Sequence, residues 1–550
     1  MRPVRAVWER RAWRAAWLLA ALLPLAVLTV FFLWPVAALV QRGLTTGGAF
    51  DPAAVWEVLT RARVWRVVQL TLTQAAVATA VTILLGIPGA FVFYRLRFAG
   101  QAVARGLLAV PFVLPSVVVG VAFRLLFNGP LAAWELDGTF AAVVAAMVFF
   151  NYPLLVRTVG AAWVGLDPRP AQAAAALGAS PSRVFLTVTL PSLMPAIAAG
   201  AAVVFLFCAT AFGVVLILGG RGAGTLETEI FYQATQLFDL RAAAVLSLLQ
   251  LVVVAAALWV SARARARRGG LAGGGGLRRR PTWGDWPALT VTALTMAGLA
   301  APLLQLVIRS CQRRGQWTWA NYRELWSGQT GLRVTIGEAI SNSVRSAALA
   351  ATLAVALGVL VALVLSRRPT RRPGRVLLAS LDAAFMLPLG VSAVTVGFGF
   401  LLALNRPPFD LRSSQILVPL AQAIVAIPLV VRTLLPSLRA IPARRLQAAA
   451  ALGAGPGRVL WTIEGPVLAR ALPLATGFAL AVCLGEFGAT AFLARPDAPT
   501  LPVMIYRLLG KPTAASQGMV VAASVVLALV TAALMLVAER ARPRETEEAW

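Results

Sequence analysis

The chain has 550 residues, of which 59% are hydrophobic and 13% charged, with a formal net charge of +29. So few charges over this length exclude an ordinary soluble globular protein, in which roughly a quarter of residues are charged. Three cysteines, Cys208, Cys311 and Cys483, without a single histidine, offer no zinc spacing and no common general base, so neither a metal site nor a catalytic constellation is expected.

The N-terminal segment carries Arg2, Arg5, Arg10, Arg11 and Arg14, then runs apolar from 17 to 40. That run exceeds the ~7–15-residue core of a signal peptide and is expected to stay as a first span. Further spans are predicted over 67–94, 106–127, 140–162, 193–219, 242–262, 286–308, 344–366, 376–404, 414–436, 467–493 and 517–538. The fold class that follows is an all-α polytopic membrane protein with about 12 transmembrane helices in two homologous six-helix halves.

Arginine sets the orientation. Arg95, Arg97 and Arg105, the run Arg263–Arg280, the run Arg367–Arg375, and Arg540, Arg542 and Arg544 all fall on one side. Asp51, Glu57, Glu135, Asp137, Glu227, Glu229 and Asp239 fall on the other. Basic loops mark the cytoplasmic side. Both termini are therefore expected there, in a multi-pass protein of the bacterial cytoplasmic (plasma) membrane. The 310–343 loop, with Arg313, Arg314, Arg323 and Arg333, fits this orientation least. Short clusters between apolar runs indicate lipid as the partner and speak against nucleic acid.

Residues 263–281 hold four consecutive glycines flanked by arginines, close to the middle of the chain. Such a segment reads as a flexible cytoplasmic linker between two fused domains. A repeat supports the fusion. Gln172–Ala179 and Gln447–Ala454 are the same eight residues, at an offset of 275 (447 − 172). Arg157, Arg183, Pro191 and Cys208 recur at that offset as Arg432, Arg458, Pro466 and Cys483. Upstream the offset drifts to 273 at Pro115 and Pro388, and to 272 at Gly86 and Gly358.

The repeated octapeptide lies between spans, not within them. Its alanines favour a helix, Gly178 suits a left-handed helix stop, and Ser180 with Pro181 suits the start of a second helix. Gly453 and Pro456 repeat the pattern. A short exposed helix of this kind is either an elbow between spans or a peg for a partner's groove. Two near-identical copies favour the peg.

These loops resemble the EAA loop of type I ABC-importer permeases: Glu-Ala-Ala, three residues, Gly, nine residues, Ile, one residue, Leu-Pro. The first copy is Gln172-Ala173-Ala174, Gly178, Val188, Leu190-Pro191, with Ser180, Pro181 and Arg183 between; the second is Gln447-Ala448-Ala449, Gly453, Ile463, Gly465-Pro466, with Pro456 and Arg458 between. Gln replaces Glu in both copies, and Gly465 replaces Leu. The resemblance implies that each loop is a coupling helix docked into a cytoplasmic ATPase. It therefore implies two copies of that ATPase, an extracytoplasmic solute-binding protein, and no cofactor on this chain. No Gly-x-x-x-x-Gly-Lys-[Ser/Thr] loop exists, and the sole lysine is Lys511, so the chain is not expected to be an enzyme; ATP hydrolysis belongs to the partner.

The division expected is residues 1–64 (tail, first helix, outer loop), 65–262 (first transmembrane domain), 263–282 (linker), 283–336 (seventh helix, outer loop), 337–538 (second transmembrane domain) and 539–550 (cytoplasmic tail). Leu216-Ile-Leu-Gly219-Gly220, Thr225-Leu-Glu227-Thr-Glu229, and Leu484-Gly-Glu486-Phe-Gly488-Ala-Thr490 with Thr500-Leu-Pro502 further resemble thiamine importer permeases. Ferric-iron importer permeases share the fused architecture and are the second reading. A secondary transporter, which also uses internal repeats, leaves the two copied loops unexplained.

Three residues are candidates for the translocation path. Glu486 lies within a predicted span, where a carboxylate is costly unless it faces water or a partner. It either attracts a cationic solute or pairs with an arginine such as Arg495. Pro115 and Pro388 break spans, either at the path or as ordinary kinks. Asp382, near the inner end of its span, reads as a structural pairing. Cys208 and Cys483 read as small packing residues.

Overall fold

The computed structural model describes residues 2–46, 48–220, 222–266, 279–327, 333–369, 372–404, 410–411 and 414–540. Residues 267–278 of the predicted linker and 541–550 of the predicted tail lie outside them.

The two halves repeat the same elements in the same order. The first half holds α1 (Trp17–Leu44), a hairpin of β1 (Thr45–Thr46) and β2 (Ala49–Phe50), α2 (Pro52–Thr60), α3 (Ala62–Arg95), α4 (Gln101–Val113), α5 (Ser116–Phe127) and α6 (Phe140–Val164). It continues with α7 (Arg169–Ala176), α8 (Pro181–Ala209), α9 (Gly213–Leu218), α10 (Leu226–Thr235) and α11 (Leu240–Ala266). The second half holds α12 (Trp286–Ser310), a hairpin of β3 (Gln312–Arg313) and β4 (Gln316–Trp317), α13 (Ala320–Trp326), α14 (Ile336–Leu365), α15 (Arg372–Gly390), α16 (Ala393–Ala403) and α17 (Leu417–Arg439). It ends with α18 (Ala443–Ala451), α19 (Pro456–Gly485), α20 (Gly488–Leu493), α21 (Leu501–Leu509) and α22 (Ala514–Arg540). The matching hairpins extend the duplication upstream of the region where the sequence shows it.

Local chemistry starts many of these helices. Asp51 accepts from the Ala54 amide (3.0 Å) ahead of Pro52. Thr335 and Glu338 cap each other's backbone at the start of α14, at 2.8 and 3.3 Å. Reciprocal bonds of this kind satisfy amides that have no partner within the helix.

Among the described residues, ten helices are long and apolar enough to cross a membrane, an all-helical answer to a solvent that cannot satisfy exposed backbone. The spans predicted at 106–127 and 376–404 are not continuous. The first is split at Leu114–Pro115, because proline lacks an amide donor and pushes the preceding residue to extended backbone. The second bends by 91° between α15 and α16. There Pro388 stays within the last turn of α15, and Ser392 caps the next helix by accepting from the Thr395 amide at 3.2 Å.

The chain forms two compact units. One comprises residues 43–321 and 520–525; the other comprises 1–42, 322–519 and 526–550. Each unit thus takes its first long helix from the other half of the sequence. In the first unit α3, α6 and α8 form the core, and α12 packs along α3 and α5. Phe123 sits 5.6 Å from Phe149 and 5.7 Å from Phe127 there. In the second unit α14, α17 and α19 form the core, with α1 along α14. Ala347, Ala350, Ala351 and Ala354 give α14 the small face that lets backbones approach closely in lipid.

Candidate functional site

The two copied loops fold alike. In the first, α7 ends in a left-handed Gly178 (φ +84°). The Gly178 amide donates to Ala175 O at 3.0 Å and the Ala179 amide to Ala174 O at 3.1 Å. In the second, Gly453 takes φ +78°. Its amide donates to Ala450 O at 3.0 Å, and the Ala454 amide to Ala449 O at 2.9 Å. This paired bonding is the Schellman stop, and it fixes the angle at which the chain leaves the helix. Ser180 then accepts from the Arg183 amide (3.4 Å) at the start of α8, with Pro181 at its first position. The second copy starts α19 from Gly455 and Pro456 without a side-chain cap. Each copy next passes through a π-helical turn, Phe185–Thr189 and Leu460–Glu464. Such turns interrupt the regular ladder and concentrate at functional positions.

Exposure is also duplicated. Gln172, Ala173, Arg183 and their counterparts Gln447, Ala448 and Arg458 are exposed, while Ala174 and Ala449 are half-buried. Leu177 is 89% exposed and Leu452 88%. Leu186 and Trp461, the second residues of the π-helical segments, are exposed at equivalent positions. No residue of α7 or α18 is buried. Each loop therefore carries a small exposed apolar face, at Leu177 and at Leu452.

The path candidates are held inside their units. Pro115 and Pro388 are buried. Glu486 is 7% exposed and occupies the break between α19 and α20. Its Oε1 accepts from the Ala489 amide (2.7 Å) and its Oε2 from the Thr490 amide (3.1 Å). The Thr490 hydroxyl returns a bond to Glu486 O at 3.0 Å. The carboxylate thus caps α20, where unpaired amides and the helix dipole favour negative charge. The alternative partner, Arg495, sits against Asp497 at 2.5 Å, not against Glu486. Asp382 lies 4.0 Å from Arg439. Cys208 and Cys483 are both buried and free of disulfides, Cys208 near the Asn151 amide (3.4 Å) and Cys483 near Gln422 O (3.8 Å).

One residue of the second loop escaped the sequence reading. Glu464 is buried at the end of the π-helical turn, and Arg367 donates to it at 2.7 Å. Trp17 lies over the same guanidinium, 4.0 Å from its carbon. The signal was an acidic residue directly before Gly465-Pro466, where the first copy has Thr189.

Residues 82–267 match the family described as "Binding-protein-dependent transport system inner membrane component". The thiamine transport system permease protein of Escherichia coli (strain K12) is 29% identical over 485 residues, 84% of this chain and 86% of that protein. Its counterpart in Brucella abortus (strain 2308) is 27% identical over 522 residues, 91% of each chain. The sulfate transport system permease protein of Escherichia coli (strain K12) is 33% identical over 216 residues, 38% of this chain and 77% of that protein. Multi-pass helical architecture, the duplicated loops and these likenesses agree: the chain belongs to the binding-protein-dependent inner-membrane transport components, the permeases of ATP-binding-cassette importers.

Proposed function

We propose that this permease carries thiamine or its phosphates across the cytoplasmic membrane, driven by two copies of a separate ATPase and supplied by an extracytoplasmic binding protein. The observation that carries the solute is the likeness to thiamine permeases along 84–91% of the chain. The sulfate permease covers 38% of it. Both termini face the cytoplasm in this reading, with the basic loops beside them.

The ATPase sockets are the loops around α7 and α18. Leu177 and Leu452 would each bury an exposed side chain in a partner groove, a gain of about 1.5–3 kcal/mol. Gln172 and Gln447 would contact the partner through hydrogen bonds without a charge. The breaks at Pro115 and at Val391–Ser392 are the points where helices along the path change direction.

Leu177→Asp together with Leu452→Asp is expected to weaken ATPase association by at least about tenfold in a pull-down or titration, with melting unchanged because both sites are exposed. Undiminished association overturns the socket assignment. The solute is tested with permease and ATPase in proteoliposomes, measuring ATP hydrolysis with binding protein loaded with thiamine, thiamine pyrophosphate, ferric iron or sulfate. Stimulation by a thiamine form alone is expected; stimulation only by iron or sulfate, or by none, overturns the solute.

A further inference from the structure

The two halves treat one guanidinium differently. Arg367, just past α14, is neutralised by Glu464 at 2.7 Å. The repeat puts Arg95, the last residue of α3, in the place of Arg367 (367 − 95 = 272) and Thr189 in the place of Glu464 (464 − 189 = 275). Arg95 is therefore left without the carboxylate that its counterpart has.

Arg95 and Thr189 both line a cavity of about 360 Å³, walled by Trp163, Asp167, Pro168 and Ser192. Arg95 is half-buried, and no ion pair to it exists among the described residues. Its charged neighbour is another cation, Arg279, which is tied to the same segment through backbone bonds of 3.0 Å to Arg95 O and 2.9 Å from the Arg97 amide. Arg279 is itself engaged by Asp285, at 2.6 and 2.7 Å. The one carboxylate in the wall, Asp167, accepts from the Arg169 amide at 3.0 Å. The cavity lies where α3 and α6 end, against the N-terminal part of α8 and beside the chain that leads into α7.

We propose that this cavity binds a phosphate-bearing anion, which supplies to Arg95 the negative charge that Glu464 supplies to Arg367. A planar guanidinium with open donors matches phosphate in a bidentate fashion. Basic pockets between the cytoplasmic ends of spans are where phospholipid headgroups are held, and a soluble phosphate offers the same chemistry. The bound anion ties the end of α3 to the start of α8, and so to the copied loop around α7 alone. The inference goes beyond solute transport and does not depend on the solute.

Native mass spectrometry of the full-length permease, delipidated and then given phosphatidylglycerol, phosphatidylcholine or inorganic pyrophosphate, tests it. Retention of phosphatidylglycerol about tenfold above phosphatidylcholine assigns the phosphate to lipid. Retention of pyrophosphate without a lipid preference assigns it to a soluble donor. Either retention should vanish in Arg95→Gln and in Thr189→Glu, and persist in Arg367→Gln, whose partner is internal. Thr189→Glu copies the arrangement of the second half, so it keeps the test open if Arg95→Gln fails to fold. Wild-type protein that retains neither ligand, Thr189→Glu that retains it undiminished, or equal loss in Arg367→Gln overturns the proposal. No ATPase or binding protein enters the measurement, so its failure leaves the transport reading standing.

Discussion

Replacing Gly178 and Gly453 together with valine is expected to lower uptake at least about tenfold while the permease still inserts and its ATPase still hydrolyses ATP. Both glycines sit at positive φ, +84° and +78°, where an L-residue costs roughly 1–2 kcal/mol. A Cβ at either position would meet no atom within 4 Å. The effect is thus backbone strain without a clash, and it is too small and too peripheral to unfold the protein. What it disturbs is the Schellman stop that sets the angle between α7 and α8, and between α18 and α19. If these loops transmit force from the ATPase, a changed angle breaks transmission and leaves hydrolysis. Asparagine tolerates the left-handed region, so Gly178→Asn with Gly453→Asn should recover most of the uptake. Normal uptake by the valine pair, measured with hydrolysis in the same proteoliposomes, would falsify the coupling role.

Glu486→Ala is expected to lower both the melting temperature and uptake, with Glu486→Gln intermediate. Alanine leaves the Ala489 and Thr490 amides without their carboxylate acceptor, at about 1–3 kcal/mol for each buried donor. Glutamine keeps one acceptor oxygen and presents an amide to the other donor. The two readings of Glu486 separate here. A carboxylate that serves only to attract cationic solute would lose uptake on conversion to Gln with no change in melting. A capping carboxylate lowers both together, and Ala more than Gln. Unchanged melting in both variants overturns the capping role.

Features that depend on a few consecutive residues could be read from the chain directly. The apolar runs marked the spans because lipid demands about 20 apolar residues per crossing helix. The octapeptide marked the loops because alanine, glycine, serine and proline act within a single turn, and Gly178, Ser180 and Pro181 do in the structure what their chemistry foretold. Pro115 also announced a break, although hydropathy averaged over a window read 106–127 as continuous. The break at Thr210–Phe212, and its partner at Glu486–Phe487, were hidden for the same reason: an interruption of two or three residues inside an apolar run leaves the average unchanged.

Contacts between distant residues belong to the tertiary structure. The sequence shows the repeat from Gly86 and Gly358 onward, but only packing shows that α1 lies along α14 and α12 along α3 and α5. Glu486 read as a membrane carboxylate in need of a partner; the fold supplied backbone amides at the start of α20 in place of an arginine. Arg367 and Glu464 are ordinary residues far apart in the chain until helix packing sets them 2.7 Å apart. The linear chain thus determines where helices form and that they form twice, since propensity and hydropathy are local. Which charges are neutralised, and which half leaves Arg95 facing a cavity, depends on side chains brought together across the fold, where one substitution, Thr189 against Glu464, makes the duplicated halves chemically different.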